Sequence, residues 1–245
     1  MVKNSKISWT DHSFNPWIGC TPVSAGCKFC YAKAQDERWN PGAHSWGKGQ
    51  PRRRTKTWSD PAKWNRQAGI DGTRPRVFCA SLSDWLDTEV PPIWGWELLG
   101  LVMATPNLRW LFLTKRHDQL LKFIIASPLR KNMRLGVTVE NQENADVRLP
   151  VLWEALIHGW PTFVSYEPAL GPVEWNDELL RGVQWLICGA ESGKVRRPFD
   201  EDWARAARDA CQARGIPFFF KQTYRDGKLV INPVLDGRRW MEYPE

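Results

Sequence analysis

The segment Arg76–Leu82, with the sequence RVFCASL, is the first of six short apolar runs in the chain. Each run has at most seven residues, which is too short for a buried helix, and each is nearly continuous in apolar character. This pattern is typical of strands that are buried on both faces of a sheet. The other five runs are Arg109–Thr114 (RWLFLT), Arg134–Val139 (RLGVTV), Thr162–Pro168 (TFVSYEP), Gln184–Gly189 (QWLICG) and Pro217–Lys221 (PFFFK).

Segments with helical spacing of apolar residues separate these runs, and the N-terminal part adds further elements. We predict helices over 28–39, 60–68, 94–104, 117–126, 143–157 and 201–214, and a first short strand within 12–19. Repeated strand–helix units imply a parallel sheet with right-handed crossovers. Because no Gly-rich phosphate loop is present, a partial barrel is favoured over an open, doubly wound sheet.

We therefore expect an α/β protein with a parallel-stranded, partial (β/α)6-type TIM-like barrel. The 245 residues are expected to form a single domain over 1–245. A basic loop at about 40–58 and a short C-terminal extension over 223–245 complete this prediction.

Three of the six cysteines lie within eleven residues, as Cys20-x6-Cys27-x2-Cys30. Clustered thiolates favour soft metals, chiefly zinc or an iron–sulfur cluster. His12 or His44 could complete a closed zinc site, whereas three thiolates alone leave one position open for chemistry. Both alternatives stay open at this point. The remaining cysteines lie singly in apolar segments and are expected to be small buried side chains.

Polar residues follow the predicted strands, where ligands bind in parallel α/β folds. Because several such groups occur at matching positions, we expect a site at this edge of the sheet. They are Ser81, Ser83 and Asp84, then Lys115 and Arg116, then Glu140 and Asn141, then Glu167, then Glu191, and finally Lys221.

The segment Cys20–Ala32, CTPVSAGCKFCYA, resembles the cluster-binding loop of the radical S-adenosylmethionine superfamily. The second half of the motif matches, with an aromatic Phe29 before Cys30, while the first gap is six residues where most of that superfamily has three. The chain is also similar over nearly its full length to a family of phage- and prophage-associated proteins of unknown function that carry the longer gap. The matching stretches are SWTDHSFNPWIGC (8–20), FLTKR (112–116), LGVTVENQ (135–142), YEPALGP (166–172), CGAESG (188–193) and FFFKQ (218–222).

The superfamily resemblance implies a [4Fe–4S] cluster on Cys20, Cys27 and Cys30, with S-adenosylmethionine (SAM) on the open iron. It implies reductive cleavage of SAM to a 5′-deoxyadenosyl radical, which abstracts hydrogen from a substrate, and an external electron donor. The implied cofactor-binding residues are Ser81, Ser83 and Asp84 for the methionine ammonium, Lys115 or Arg116 for its carboxylate, and Glu140 and Asn141 for the ribose. The implied substrate-facing catalytic residues are Glu167, Glu191 and Lys221.

The substrate is predicted from charge and from the phage association of the resemblance. The net charge of +7 and the basic segment Arg52–Lys56 fit a nucleic-acid or nucleotide partner. We hypothesise that a modified nucleobase in phage DNA, or a nucleotide, is the substrate. The alternative is a zinc- or iron–sulfur-binding module that binds nucleic acid or a protein partner without catalysis. A hydrolase is disfavoured because the chain has no Gly-x-Ser-x-Gly motif and no His-Glu metal motif.

Membrane association is not expected. No apolar run approaches the roughly 18 residues that a membrane span needs. Met1–Thr10 contains no apolar leader segment, and we therefore expect a cytoplasmic protein. The oligomeric state is left open.

Overall fold

The computed structural model describes residues 5–245, and the chain divides into two compact units. Unit 1 comprises the residues up to Arg116 together with Arg130–Arg134, and unit 2 comprises His117–Leu129 and Leu135–Glu245. The single domain over residues 1–245 stays a prediction. Residues 1–4 lie outside the described residues. The predictions of a domain over 1–245 and of no apolar leader in Met1–Thr10 both include them.

Unit 1 alternates short strands with helices. Its elements are β1 (His12–Ser13), β2 (Trp17–Ile18), a 3₁₀ turn (Ala25–Cys27), α1 (Tyr31–Trp39), β3 (Arg53–Arg54), α2 (Asp60–Asp71), β4 (Arg76–Cys79), α3 (Pro92–Met103) and β5 (Arg109–Thr114). Strand β4 pairs in parallel with both β1 and β5, and the separate pair β2–β3 is antiparallel. Trp9, Phe14 and Trp110 are fully or almost fully buried and form part of the core of this unit.

Three differences from the predicted elements occur in unit 1. The predicted strand over 12–19 is two separate strands, and the helix predicted over 28–39 begins only at Tyr31, after the 3₁₀ turn. The segment 40–58 is not a loop throughout, because Arg53 and Arg54 pair with β2. This pairing joins residues far apart in sequence, and composition alone carries no signal for it.

Unit 2 contains the remaining strands and helices. Its elements are α4 (His117–Ala126), β6 (Met133–Val139, the first two residues of which belong to unit 1), α5 (Gln142–Arg148), α6 (Pro150–Ile157), β7 (Thr162–Tyr166), α7 (Asp177–Leu180), β8 (Leu186–Gly189), α8 (Glu201–Gln212), β9 (Phe218–Arg225), β10 (Lys228–Ile231), β11 (Val234–Leu235) and β12 (Arg238–Arg239). Strands β6 to β9 pair in parallel in chain order, and β10 adds an antiparallel edge.

Two further differences occur in unit 2. The helix predicted over 143–157 is two helices, α5 and α6, and Pro150 is the first residue of the second. A proline has no backbone N–H to donate, so it is tolerated at a helix start and disrupts a helix interior. The last parallel strand continues to Arg225, so that the predicted extension over 223–245 begins inside a strand and continues as hairpins.

The described residues contain one eight-stranded, mostly parallel sheet with helices between its strands. This confirms the predicted α/β class and the parallel sheet. The predicted strand Arg109–Thr114 and the predicted helix over 117–126 match their elements residue for residue. Within residues 5–245, no helix is both long enough and apolar enough to cross a membrane.

Gly136 provides a direct test of packing in the sheet. A Cβ atom at this position would lie 2.3 Å from the ring of Phe163, which is fully buried. We expect Gly136→Ala to lower the free energy of unfolding by about 1–3 kcal/mol, because overpacking a rigid core strains it. Gly100 lies in α3 with open space around it, so Gly100→Ala should raise stability by about 0.5–1 kcal/mol. Urea unfolding of both variants measures these changes, and equal stabilities would contradict the packing of this strand.

Candidate functional site

The three clustered cysteines lie on one segment of unit 1, which we call the cysteine loop, residues 20–30. Cys20, Cys27 and Cys30 are free and half-buried, whereas Cys79, Cys188 and Cys211 are free and buried. Cys27 ends the 3₁₀ turn and Cys30 immediately precedes α1. The division that the sequence predicted between a clustered and a buried set is therefore present in the structure.

The start of the cysteine loop is fixed by Gly19. Its backbone forms a parallel bridge with Ser83, and its N–H donates to the Leu82 carbonyl at 3.1 Å. Gly19 has a φ of +111°, and an added Cβ would lie 2.0 Å from the Ser45 carbonyl oxygen. Only glycine fits this conformation and this close approach. The loop therefore begins in a rigid backbone position.

The donor set of the loop fits an iron–sulfur cluster in its chemistry. It offers three free thiols on one loop, which suits a centre with one open iron. Across residues 5–245, no three His, Cys, Asp or Glu side chains are placed as ligands of a single metal ion. His12 is stacked on Trp64, with ring centroids 4.4 Å apart, and His44 is exposed. Among the described residues, neither histidine lies with the three cysteines as a fourth ligand, and the zinc site considered from the sequence stays a prediction.

Ser83 offers a buried hydroxyl beside the start of the cysteine loop. Its Oγ has no hydrogen-bond partner among the described residues. A buried polar atom without a partner is costly. The cofactor-binding role that the resemblance implied for Ser83 stays a prediction. The hydroxyl of Ser81, by contrast, has a hydrogen-bond partner, because Asn15 Nδ2 donates to Ser81 Oγ at 3.0 Å.

Asp84 and Arg116 form a buried ion pair, with Arg116 Nη1 and Asp84 Oδ2 3.0 Å apart. The Asp84 carboxylate also accepts from the Thr114 hydroxyl at 2.8 Å and from the Lys115 N–H at 3.1 Å. Arg116 Nη2 lies 3.4 Å from Asp87 and donates to the Thr21 carbonyl at 2.9 Å. These side chains bind one another, so the roles predicted for Asp84 and Arg116 as direct cofactor ligands do not match their contacts.

Arg116 also contacts the cysteine loop directly. Its Nη1 lies 3.6 Å from Cys20 Sγ. Burial and the nearby Asp84 carboxylate raise the pKa of the Cys20 thiol to about 12, and the Arg116 charge acts in the opposite direction. Burial also raises the pKa of Cys30. Because a thiol must lose its proton to bind a metal, any metal binding by these cysteines would be favoured by higher pH.

Arg52 is a structural residue, which corrects its part in the basic segment Arg52–Lys56 that was expected to fit a nucleic-acid or nucleotide partner. Its side chain is fully buried, with Nε 2.7 Å from Asp87 Oδ2. Nη1 donates to the carbonyls of Ser45, Gly47 and Gln50, and Nη2 donates to the Thr21 hydroxyl at 2.6 Å. Its guanidinium therefore holds the segment 40–58 against the cysteine loop and is not available to nucleic acid.

The neighbouring arginines are paired as well. Arg53 lies 2.6 Å from Asp36, while Arg54 pairs with Glu97 and lies over the ring of Trp58 at 3.9 Å. Both side chains are only partly exposed. Their charges are compensated inside unit 1, so they give little support to a free basic patch.

Unit 2 holds a separate polar cluster that combines residues following β7 and β8 with residues inside β9. Glu167 Oε1 accepts from Lys221 Nζ, from the Ser192 hydroxyl at 2.9 Å and from Gln222 Nε2 at 3.3 Å. The side chains of Glu167 and Lys221 are 11% and 12% exposed. The structure therefore brings together two of the three residues that were predicted to face the substrate.

The other predicted residues of unit 2 have individual partners. The carboxylate of Glu191 binds the guanidinium of Arg197, which compensates the negative charge of Glu191. Glu140 is fully buried, with Arg148 3.4 Å away. Asn141 caps α5 by accepting the Asn144 N–H at 3.1 Å. Ribose recognition by Glu140 and Asn141 stays a prediction.

Sequence reasoning did not identify Asp87, Thr21 and Arg52 as part of the site. Asp87 follows Asp84 by three residues in the same post-strand segment, and this spacing was an available signal. Arg52 had no such signal, because its burial depends on three backbone carbonyls from its own loop.

Arg52 and Lys56 test this correction. We expect Arg52→Gln to lower the free energy of unfolding by about 3–5 kcal/mol, since it removes the closer of the two guanidiniums that compensate the buried Asp87 carboxylate. Lys56 is exposed, so Lys56→Gln should change stability by no more than about 0.5 kcal/mol. Urea unfolding provides the measurement. Equal stability of the two variants would show that Arg52 is a solvated side chain.

Comparison with solved structures identifies the fold. Spore photoproduct lyase complexed with dinucleoside spore photoproduct is similar with a TM-score of 0.54 at 15% sequence identity, covering 93% of this chain and 68% of that chain. A mutant of the same enzyme with bound AdoMet and dinucleoside spore photoproduct gives a TM-score of 0.52 at 15% identity, with the same coverage. Spore photoproduct lyase is a radical SAM enzyme. This likeness shows the fold, and it confirms the predicted partial TIM-like barrel.

A weaker likeness involves Streptococcus suis SuiB bound to precursor peptide SuiA, with a TM-score of 0.42 at 9% identity, covering 84% of this chain and 48% of that chain. A search of curated proteins found none that matches the sequence. The family model described as "Protein of unknown function (DUF5131)" matches residues 4–244. The chain therefore belongs to the DUF5131 family.

Proposed function

We propose that this protein is a radical SAM enzyme. The observation that carries the proposal is the cysteine loop, which holds three free thiols and begins at the constrained Gly19, in a fold shared with an enzyme that binds AdoMet. Cys20, Cys27 and Cys30 would hold a [4Fe–4S] cluster and leave one iron open. When bound, the cluster and SAM together supply a 5′-deoxyadenosyl radical, with an external donor providing the electron.

The chain's own residues position the cofactor in this proposal. The unpartnered Ser83 hydroxyl is the candidate to bind the SAM methionine group. Asp84 acts indirectly, because it holds the Lys115 backbone and the Arg116 guanidinium in place. Lys115 is then the better candidate for the methionine carboxylate, since both terminal nitrogens of Arg116 are engaged. Glu140 and Asn141 remain the proposed ribose-binding residues.

For the substrate we propose a nucleotide or a modified nucleobase. The net charge of +7 and the dinucleoside bound by spore photoproduct lyase support this class. In residues 5–245, the three donors to Glu167 all bind Oε1, so that Oε2 is left without a hydrogen-bond partner. Glu167 Oε2 and Lys221 Nζ thus offer an acceptor and a donor side by side, which suits the edge of a base.

Metal analysis after anaerobic purification tests the cofactor assignment. We expect about four irons and matching sulfide per chain, a change in the cluster's EPR signal on SAM addition, and 5′-deoxyadenosine after reduction. Cys27→Ala should abolish cluster binding, because it removes one of three ligands. The buried Cys188→Ala should retain it. One tightly held zinc per chain would overturn the proposal in favour of a non-catalytic metal-binding module, and equal iron in both variants would overturn the ligand assignment.

The substrate proposal is tested with a thymine dinucleotide as probe. We expect Glu167→Gln to weaken its binding about tenfold, because a hydrogen bond to a charged group contributes about 1.5–3 kcal/mol. Glu201→Gln is the matched control, since Glu201 pairs with Arg225 on the surface. Calorimetric titration measures both. Equal affinities of the two variants would remove Glu167 from the substrate site.

A further inference from the structure

Arg116 is held on both sides by buried partners. Nη1 lies between Asp84 Oδ2 at 3.0 Å and Cys20 Sγ at 3.6 Å, while Nη2 lies between Asp87 Oδ1 at 3.4 Å and the Thr21 carbonyl at 2.9 Å. Its side chain is 8% exposed. The guanidinium therefore contacts both the sulfur of Cys20 and the backbone of the next residue, and it has little freedom to rotate.

This contact distinguishes Cys20 from Cys27. The neutral Ser24 hydroxyl lies 3.9 Å from Cys27 Sγ, whereas Cys20 has a buried cation at its sulfur. A guanidinium cannot lose its proton in a protein, so that it is a permanent charge and a permanent donor. In a poorly solvated site such a donor acts more strongly on a neighbouring sulfur than it does in water.

We propose that Arg116 is a positioning residue that holds Cys20 as a cluster ligand and raises the reduction potential of the cluster through an N–H···S hydrogen bond. This inference rests on the proposed function. The hydrogen bond draws electron density from the ligating sulfur, and the positive charge favours the cluster state that has gained one electron from the external donor. Asp84 and Asp87 fix the direction of the guanidinium, and their negative charges limit the size of the effect.

The inference also explains why Arg116 is a poor partner for the SAM carboxylate. A carboxylate is best recognised by two parallel N–H groups of one guanidinium. In this structure the terminal nitrogens of Arg116 are directed at two carboxylates, a carbonyl and a sulfur. We therefore assign Arg116 to the cluster ligand Cys20 and not to the SAM carboxylate.

The experiment compares the midpoint potential of the reconstituted protein with those of Arg116→Lys and Arg116→Gln. An EPR-monitored redox titration with dithionite provides the potential, and iron analysis provides the occupancy. Arg116→Gln should shift the one-electron equilibrium about tenfold toward the oxidised cluster, which corresponds to 59 mV. Arg116→Lys keeps the charge but loses the fixed geometry. Its midpoint potential should therefore lie between those of the wild type and Arg116→Gln.

Arg76→Gln is the matched control. Arg76 pairs with Asp11 at 2.9 Å. It is the first residue of β4, whereas Asp84 follows the last residue of that strand. This variant should keep the wild-type potential. If Arg116→Gln does not fold, the Lys variant alone decides the outcome, with a partial shift expected.

The outcomes separate the two proposals. A wild-type protein without iron overturns both the proposed function and this inference. A wild-type protein with a full cluster, and Arg116 variants with the same potential and iron content, overturns the inference alone. An equal shift in Arg76→Gln also overturns it, because the effect would then follow net charge and not the contact with Cys20.

Discussion

The alternation of buried carboxylates and guanidiniums beneath the cysteine loop is the interaction on which the proposed site depends. Asp84, Arg116, Asp87 and Arg52 follow one another at 2.7 to 3.4 Å. A buried charge is costly unless it is paired and hydrogen-bonded. Asp87 and Arg116 have a charged partner on either side, Asp84 also accepts a backbone N–H, and Arg52 also donates to backbone carbonyls. Removal of one member therefore leaves another less well compensated.

This row joins parts of unit 1 that are distant in sequence. Arg52 belongs to the segment 40–58, Asp84 and Asp87 follow β4, and Arg116 follows β5. Both arginines reach Thr21, one at its hydroxyl and one at its carbonyl. The backbone next to Cys20 is therefore held by the network from two sides.

Unit 2 contains its polar groups in a different arrangement. Glu167 follows β7, Ser192 follows β8, and Lys221 and Gln222 lie within β9; the four side chains form one hydrogen-bonded cluster. The charge of Glu167 is compensated on one oxygen only, in contrast to Asp84. A saturated carboxylate suits a structural role, while a carboxylate with one unused oxygen suits recognition of a ligand. We therefore propose a structural role for Asp84 and ligand recognition for Glu167.

The sequence by itself determined the α/β class, the parallel strands and the separation of three clustered cysteines from three buried ones. These features depend on local apolar runs and on residue spacing, both of which can be identified in the sequence without knowledge of the fold. Most predicted helices and strands were confirmed for this reason, although Pro150 divides one predicted helix. It also predicted that Asp84 and Glu167 follow strands, whereas Lys221, predicted at a strand end, lies inside β9.

Only the tertiary structure decided what those residues contact. Arg52 is indistinguishable by sequence from Arg53 and Arg54, yet it alone of the three is fully buried, because three carbonyls and Asp87 surround it. Glu167 and Glu191 both follow buried strands, yet one meets Lys221 and the other Arg197. Pairing depends on how distant segments meet in space, and this information is absent from composition and periodicity.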